Sequence, residues 1–239
     1  MKLKQLLENT SNQFLQTREE IEEWLQRMGI QNYTINDDLN VDVNGDVILF
    51  RQNLPAIPVK FGKVSGDFIC DSNKLTSLKG APREVGGDFN CAHNKLTSLE
   101  GAPQEVGDNF WCLDNELTSL KGMPREVGNH IDCSYNQLTS LKGMSREVGG
   151  GIDCRENRLT SLDGAPRVVE EDFDCDDNEL TSLTGAPREV GGYFSCQNNK
   201  LTTLKGGPKE VSGHFYYGGN QLTSPDGIGN VAGQIYSDI

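Results

Sequence analysis

The phrase FNCAHNKLTSLEGAP occupies residues 89–103, and FDCDDNELTSLTGAP at residues 173–187 repeats its Phe, Cys, Asn, Leu, Gly and Pro at the same places. The recurrence runs through most of the chain with a step of 21 residues, which every cysteine keeps. The cysteines are Cys70, Cys91, Cys112, Cys133, Cys154, Cys175 and Cys196. The full pattern is V-x-x-x-F-x-C-x-x-N-x-L-T-S-L-x-G-x-P, and Ile sometimes replaces Phe. An uninterrupted step of this size predicts a solenoid in which each repeat is one coil.

The residue types within one repeat predict a short strand, a turn and an extended return. Phe and Cys alternate with a period of two, so both side chains lie on one face of a strand. A buried Asn needs hydrogen-bond partners, and a turn after the strand brings it beside the backbone of neighbouring coils. Gly-x-Pro then prevents a helix. The predicted fold is mainly β: a solenoid with one parallel sheet, helix-free return segments and Leu side chains packed inside.

The motif N-x-L-x-x-L after a short strand, as at residues 94–99, resembles the leucine-rich repeat, with Phe and Cys in the Leu positions of the strand. The short return that contains Pro resembles the helix-free repeats of bacterial type III effectors. With the lead-in NYTINDDLNVDVNGDVIL at residues 32–49, the pattern is similar to uncharacterised leucine-rich repeat proteins encoded by tailed bacteriophages. The resemblance covers about residues 20–239 and implies the fold, but it names no ligand.

The ends of the repeat array differ from its middle, because the terminal coils of a solenoid need caps. Residues 1–42 are predicted to form an N-terminal cap, with a separate short helix over residues 1–16 and a second helix that begins at a capping box from Thr17 to Glu20. A hairpin is expected to turn at Asn44-Gly45. The solenoid is predicted over residues 43–239, with a degenerate first coil at 43–63 and a C-terminal cap from about residue 221 to residue 239.

The charge of the chain limits its partners. Asp and Glu number 35 against 22 Lys and Arg, which gives a formal net charge of −13. Phosphate backbones need clustered Lys and Arg, so direct binding of nucleic acid is disfavoured and basic partners are favoured. The sequence has no run of about 18 apolar residues and no apolar run for a signal peptide. We therefore expect a cytoplasmic protein without membrane contact, in the host cytoplasm if a phage encodes it.

The cysteines and the charged return segments have structural explanations. Metal sites use closely spaced pairs such as C-x-x-C, and this sequence contains none. Inward cysteines are expected to be buried free thiols. Arg-Glu pairs such as Arg83-Glu84 and Arg188-Glu189 recur on the return segments, where we expect a solvent-exposed ladder of alternating charge that contributes little stability. The sequence predicts no cofactor, no metal and no catalytic site.

Four positions of each repeat vary while the rest stay fixed, and they flank Phe and Cys on the face expected to be concave. These positions hold all three histidines of the chain, with a tryptophan and several tyrosines. Exposed Trp and Tyr are common anchors of protein interfaces. We call the predicted partner-binding set the acidic–aromatic strip: Trp111, His130, Asp132, Tyr135, Asp153, Arg155, Asp172, Asp174, Asp176, Tyr193, His214 and Tyr216.

The sequence favours a non-enzymatic protein–protein interaction module that binds a protein with a basic surface through this strip. The phage resemblance implies a host protein as the partner, which the chain would inhibit or sequester. The alternative is an acidic nucleic-acid mimic that blocks a DNA- or RNA-binding enzyme. An enzyme and a calcium-binding protein have less support, because neither a catalytic arrangement nor the Gly-Asp loops of calcium-binding repeats are recognisable. The sequence does not indicate an oligomeric state.

Overall fold

The computed structural model describes residues 14–237. Residues 1–13 and 238–239 lie outside this range, so most of the segment predicted as a separate short helix over residues 1–16 is not described, and neither is the end of the predicted C-terminal cap. The described chain winds into a solenoid whose coils follow the 21-residue step of the sequence. This confirms the predicted mainly β solenoid.

Short parallel strands at the Phe-x-Cys triplets form a ten-stranded sheet, which we call the Phe-x-Cys sheet. Phe89 pairs with Phe68 on one side and with Phe110 on the other, so equal positions of the repeat stack in columns. The strands are β3 (Val47–Ile48), β5 (Phe68–Ile69), β7 (Phe89–Asn90), β9 (Phe110–Trp111), β11 (Ile131–Asp132), β13 (Ile152–Asp153), β15 (Phe173–Asp174), β17 (Phe194–Ser195), β19 (Phe215–Tyr216) and β21 (Ile235–Tyr236).

The return segments form a second parallel ladder, which corrects the prediction of one sheet. Extended returns of neighbouring coils stack with the same step, so their backbone N–H and C=O groups pair as well. A break divides this ladder into a seven-stranded and a four-stranded sheet. Its parallel strands are β2 (Asn40–Val43), β4 (Lys60–Val64), β6 (Glu84–Val85), β8 (Glu105–Val106), β10 (Glu126–Val127), β12 (Glu147–Val148), β14 (Val168–Val169), β16 (Glu189–Val190), β18 (Glu210–Val211) and β20 (Asn230–Val231).

The core lies between the two ladders and consists of columns of identical side chains. The rings of Phe68 and Phe89 stack with centroids 5.6 Å apart and planes inclined by 8°, and Phe89 stacks on Phe110 at 5.4 Å. Stacked aromatic pairs add to the stabilisation from burial. All seven cysteines are buried and free, as predicted. The leucines of the N-x-L-x-x-L motif complete the core below the turn, where Leu96 and Leu99 are fully buried.

A column of asparagines joins the coils, as the sequence analysis expected. The Asn94 Oδ1 atom accepts a hydrogen bond from Leu75 N at 2.9 Å, and its Nδ2 atom donates to Cys70 O in the preceding coil and to Cys91 O in its own. The side chain therefore replaces backbone partners that the turn leaves open. The same Nδ2 donation to the preceding coil recurs at Asn73, Asn115, Asn136, Asn157, Asn178, Asn199 and Asn220.

The described part of the N-terminal cap contains a helix, α1 (Arg18–Arg27), and a short antiparallel strand, β1 (Tyr33–Ile35). The helix begins at the predicted capping box of Thr17 and Glu20, and it buries Trp24 against the first coil. The hairpin predicted at Asn44-Gly45 is wrong. Strands β2 and β3 on its two sides run in different ladders, so Asn44-Gly45 forms a corner of the coil. The antiparallel partner of β2 is β1.

The second ladder is broken between β12 and β14, whereas the Phe-x-Cys sheet continues between β13 and β15. In the four coils directly before the break a glycine follows the buried valine, as at Val85-Gly86 and Val148-Gly149. A Cβ on Gly128 would lie 1.8 Å from the carbonyl oxygen of Gly107. At the break this corner holds Glu170 and Glu171. Ser212 also carries a Cβ at this position, but its backbone nitrogen still donates to Val190 O. The gap therefore coincides with two consecutive long side chains, and a Cβ alone does not cause it.

Candidate functional site

Seven residues of the acidic–aromatic strip line one trough of about 270 Å³ on the Phe-x-Cys sheet. Its centre is a column of three carboxylates on consecutive strands, since Asp132 pairs with Asp153 and Asp153 with Asp174. Adjacent parallel strands lie ~4.8 Å apart, so the column is closely spaced. The seven residues are Trp111, His130, Asp132, Asp153, Asp172, Asp174 and Tyr193.

Each carboxylate of the column uses one oxygen to hold its own turn. Asp132 Oδ1 accepts from Ser134 N at 2.9 Å, and Asp174 Oδ1 accepts from Asp176 N at 3.0 Å. Asp153 Oδ1 bonds in the same way to the backbone nitrogen two residues on. The position suits a side chain with a carbonyl-type oxygen, because such short side chains bond to the backbone two residues ahead. Backbone geometry therefore fixes the carboxylates in the column.

Arg155 neutralises part of this charge from within the chain. Its Nε atom lies 3.1 Å from Asp153 Oδ2, and its Nη1 atom lies 4.0 Å from Asp174 Oδ2. The Arg155 side chain is 46% exposed, whereas that of Asp174 is 10% exposed. The guanidinium group therefore stands at the rim of the trough above two carboxylates that are deeper in the surface. Arg155 thus relieves part of the repulsion between the carboxylates from within the chain.

Burial makes two of the carboxylates easy to protonate. It raises the pKa of Asp174 to about 7 and, with the charge of Asp132 as a second cause, the pKa of Asp153 to about 6. Burial and the nearby Asp174 also raise the pKa of Tyr193 to about 12. Near neutral pH the two aspartates therefore exchange protons with the solvent, and a bound cation would favour their charged forms. The trough offers a negative charge that depends on pH.

The position before Phe serves the fold, although the sequence analysis treated it as free to vary. Its side chains accept the backbone N–H one coil ahead: Tyr193 N donates to Asp172 Oδ1 at 2.8 Å, and Gly151 N donates to His130 Nδ1 at 2.9 Å. His214 Nδ1 accepts from Gln234 N in the same way. Asp and Asn fill most other coils at this position because they also carry an acceptor. His130, Asp172 and His214 therefore support the coils first, while the first two also line the trough.

The remaining strip residues lie outside the trough. Tyr135 is 49% exposed and adopts a left-handed backbone conformation with φ of 52°. Asp176 holds the next coil, since its Oδ1 atom accepts from Gln197 N and from Ser195 Oγ, both at 2.6 Å. Tyr216 lies further along the sheet. The strip is therefore a trough with an aromatic group that adjoins it at Tyr193.

Two residues near the strip were missed by the sequence analysis. Tyr236 stacks on Tyr216 with ring centroids 4.8 Å apart, and Tyr216 also contacts Tyr193 edge to face at 5.9 Å. The signal for Tyr236 was its place 20 residues after Tyr216, one short of the usual step. Glu171 Oε2 lies 3.5 Å from His130 Nε2 at the edge of the trough. The sequence signal for Glu171 was the replacement of glycine at this corner of the coil. Periodicity alone does not show that the corner lies beside His130.

Within residues 14–237 no group of three or more His, Cys, Asp and Glu side chains has an arrangement that could hold a metal ion. In the same part of the chain no helix has the length and apolar character needed to cross a membrane.

No protein-family model matches the chain, and no curated protein matches it. The solved structure of YopM from Yersinia enterocolitica WA-314 is similar, with 14% sequence identity and a TM-score of 0.26. The match covers 80% of this chain and 64% of that chain, so this chain spans less than two thirds of the length of YopM.

Proposed function

We propose that this protein is a non-enzymatic interaction module that binds a partner protein with a basic surface through the trough on the Phe-x-Cys sheet. Solenoids present long open faces to their partners, and this face carries the largest chemical variation between coils. The phage resemblance would make the partner a host protein, and the result of binding would be its inhibition or sequestration.

The observation that carries the proposal is the column of Asp132, Asp153 and Asp174 in a trough with Trp111 at one end and Tyr193 at the other. Asn90 and Ser195 occupy the same position of the repeat without charge, so the fold does not require the carboxylates. Charged groups that the fold does not need are typical of binding sites. The aromatic rings add apolar contact, which charge alone does not provide.

The chemistry of the trough favours Lys and Arg side chains. A cation between the carboxylates would displace protons from Asp153 and Asp174 and would compete with Arg155 for them. A guanidinium or ammonium group can also lie over Trp111 or Tyr193, where the face of the ring attracts it. An extended segment with a basic residue therefore fits the trough better than a smooth acidic or apolar surface.

The test is a capture experiment from bacterial lysate with the purified protein and matched variants. The triple variant Asp132→Asn, Asp153→Asn and Asp174→Asn removes the charge and keeps an acceptor for the backbone, as Asn90 does for Ala92 N. Glu156→Gln removes an exposed charge beside the strip and serves as the control. We expect the control to retain the partner and the triple variant to lose it.

A partner that the triple variant retains with equal affinity would contradict the trough as the binding site. The nucleic-acid mimic gives a different result. In that case the captured protein would be a DNA- or RNA-binding enzyme, and added duplex would compete with this protein for it. Partner release by salt but not by duplex supports the interaction module.

A further inference from the structure

The outer face of the second ladder carries two parallel stripes of opposite charge. Most return segments place a basic residue directly before an acidic one, and the coils stack these pairs in columns. The basic stripe consists of Arg83, Arg125, Arg146, Arg167, Arg188 and Lys209. The Glu stripe consists of Glu84, Glu105, Glu126, Glu147, Glu189 and Glu210.

Backbone pairing fixes the stripes in register on each side of the break between β12 and β14. Glu126 pairs with Glu105 and with Glu147 on the two neighbouring strands, so like charges follow each other at the strand spacing of ~4.8 Å. The basic stripe has its own backbone contacts, since Lys209 N donates to Arg188 O and Arg188 N to Arg167 O. Val168 interrupts the Glu stripe and Gln104 interrupts the basic one.

The two stripes hardly neutralise each other. Within the described chain one ion pair joins members of the two stripes, Arg188 with Glu189 at 3.5 Å. Lys63, which belongs to neither stripe, pairs with Glu84 at 2.7 Å. The return segments were expected to carry a solvent-exposed ladder of charge, and the members of both stripes are exposed apart from the half-buried Glu189. Both stripes are therefore exposed rows of largely unpaired charge.

A matching partner must present opposite charges with the same spacing. Each stripe contains six charges, so the two stripes together are neutral although the whole chain carries −13. A second copy of the solenoid has stripes with the same spacing. When two copies face each other about a twofold axis parallel to the solenoid, the basic stripe of each lies over the Glu stripe of the other.

A groove beside the Glu stripe gives room for the long basic side chains. It has a volume of about 740 Å³, and valines and glycines form its floor, for example Val106, Gly107, Val127 and Gly128. The methylene groups of an arginine can lie on such a floor while the guanidinium group reaches a carboxylate. The groove thus favours basic side chains that enter from the facing surface.

We infer that this face is a self-association surface, on which two copies of the chain pair side by side through their Glu and basic stripes. Exposed ion pairs are individually weak, so the dimer is expected to form at low ionic strength and high protein concentration and to dissociate as salt screens the charges. The surface lies on the ladder opposite the trough, so the inference does not depend on the proposed function.

The test is sedimentation velocity of the purified protein at about 20 mM and about 500 mM salt, where screening differs strongly. Variant A carries Glu105→Arg, Glu126→Arg and Glu147→Arg. Variant B carries Arg83→Glu, Arg125→Glu and Arg146→Glu. Each variant alone presents like charges on both stripes and should remain a monomer, whereas an equal mixture of the two should restore the dimer. Circular dichroism identifies variants that keep the fold.

We expect a low-salt dimer of the unchanged protein that high salt dissociates. A protein that stays monomeric at low salt would overturn the inference. So would variants that dimerise alone as strongly as the unchanged protein, or a mixture of folded variants that stays monomeric. The Asp153→Asn variant serves as the control, because its change lies in the trough and should leave the dimer unaffected.

Discussion

The Arg155 Nε atom lies 3.1 Å from the Asp153 Oδ2 atom, and this ion pair stands in the middle of the carboxylate column. A row of like charges at strand spacing would repel strongly if all were ionised. The structure reduces the repulsion with Arg155 and with the raised pKa of the two buried aspartates. The trough is thus partly neutral before a partner arrives.

Stability should fall as pH rises through the range in which Asp174 ionises. Its pKa is raised from 3.8 to about 7, so the folded state holds the proton more tightly than the unfolded chain does. The stabilising effect is complete below about pH 4 and is lost as pH rises from about 4 to about 7. Asp174→Asn should therefore be more stable than the unchanged protein at pH 8, by about 2 kcal/mol after allowance for screening by Arg155.

Urea unfolding at pH 5 and pH 8 measures this difference. Asp163→Asn is the matched control, because Asp163 is exposed on a turn. Its substitution should change the free energy of unfolding little at either pH. If Asp174→Asn loses as much stability between pH 5 and pH 8 as the unchanged protein, the buried carboxylate does not cause the pH dependence.

Trp111→Ala should weaken binding of the captured partner by about 2 kcal/mol, or roughly 30-fold, if the ring is an interface anchor. Calorimetry or surface plasmon resonance gives the affinity. Phe50→Ala is the comparison, since Phe50 is an exposed aromatic residue near the far edge of the same sheet and outside the trough. Added salt should slow association more than it speeds dissociation. Equal losses at the two positions would argue against a local site.

Asn136→Ala should cost about 2–3 kcal/mol of unfolding free energy, because it leaves buried backbone groups without partners. The lost bonds are those from Leu117 N to Oδ1 at 3.0 Å and from Nδ2 to Cys112 O at 3.1 Å. Asn230→Ala removes the same group at an exposed position and should have little effect. Denaturant unfolding of both variants checks the difference, and similar losses would refute a structural role for the asparagine column.

The thiols should be inert in the native protein. All seven cysteines are buried, and burial raises the pKa of each thiol, so little thiolate forms at neutral pH. Titration with a chromogenic disulfide should give almost no rapid reaction before unfolding and seven thiols afterwards. Rapid labelling of several thiols in the folded protein would contradict the packing of the core.

The sequence was sufficient for features that recur in every coil. The Phe, Cys, Asn and Leu columns follow from the repeat alone, because each needs the same partner one step away. The pairing of the Glu-Val segments was missed, since two residues do not produce a strand signal by themselves. The hairpin prediction failed because Asn-Gly suits any tight corner, and the neighbouring strands found better partners in other coils.

The candidate site was harder to predict than the fold. The carboxylate column could be read from Asp132, Asp153 and Asp174, which occupy one position of the repeat. The hydrogen bonds of His130 and His214 to the backbone of the next coil could not be predicted. A histidine at a variable position of the repeat has the sequence pattern of a surface residue. The raised pKa values of Asp153 and Asp174 depend on burial. The sequence does not give the burial of this position, because the position is more exposed in some coils than in others.

The gap between β12 and β14 has a mechanical consequence. In a stacked array, stability is the sum of each coil and its contact with the next, so the weakest contact decides where the array separates. Coils before and after the gap share only one ladder, and heating should melt them as two blocks rather than one. Asp153 and Asp174 lie on opposite sides of this same junction. A partner that binds both aspartates would connect the two blocks, and the blocks would then unfold together.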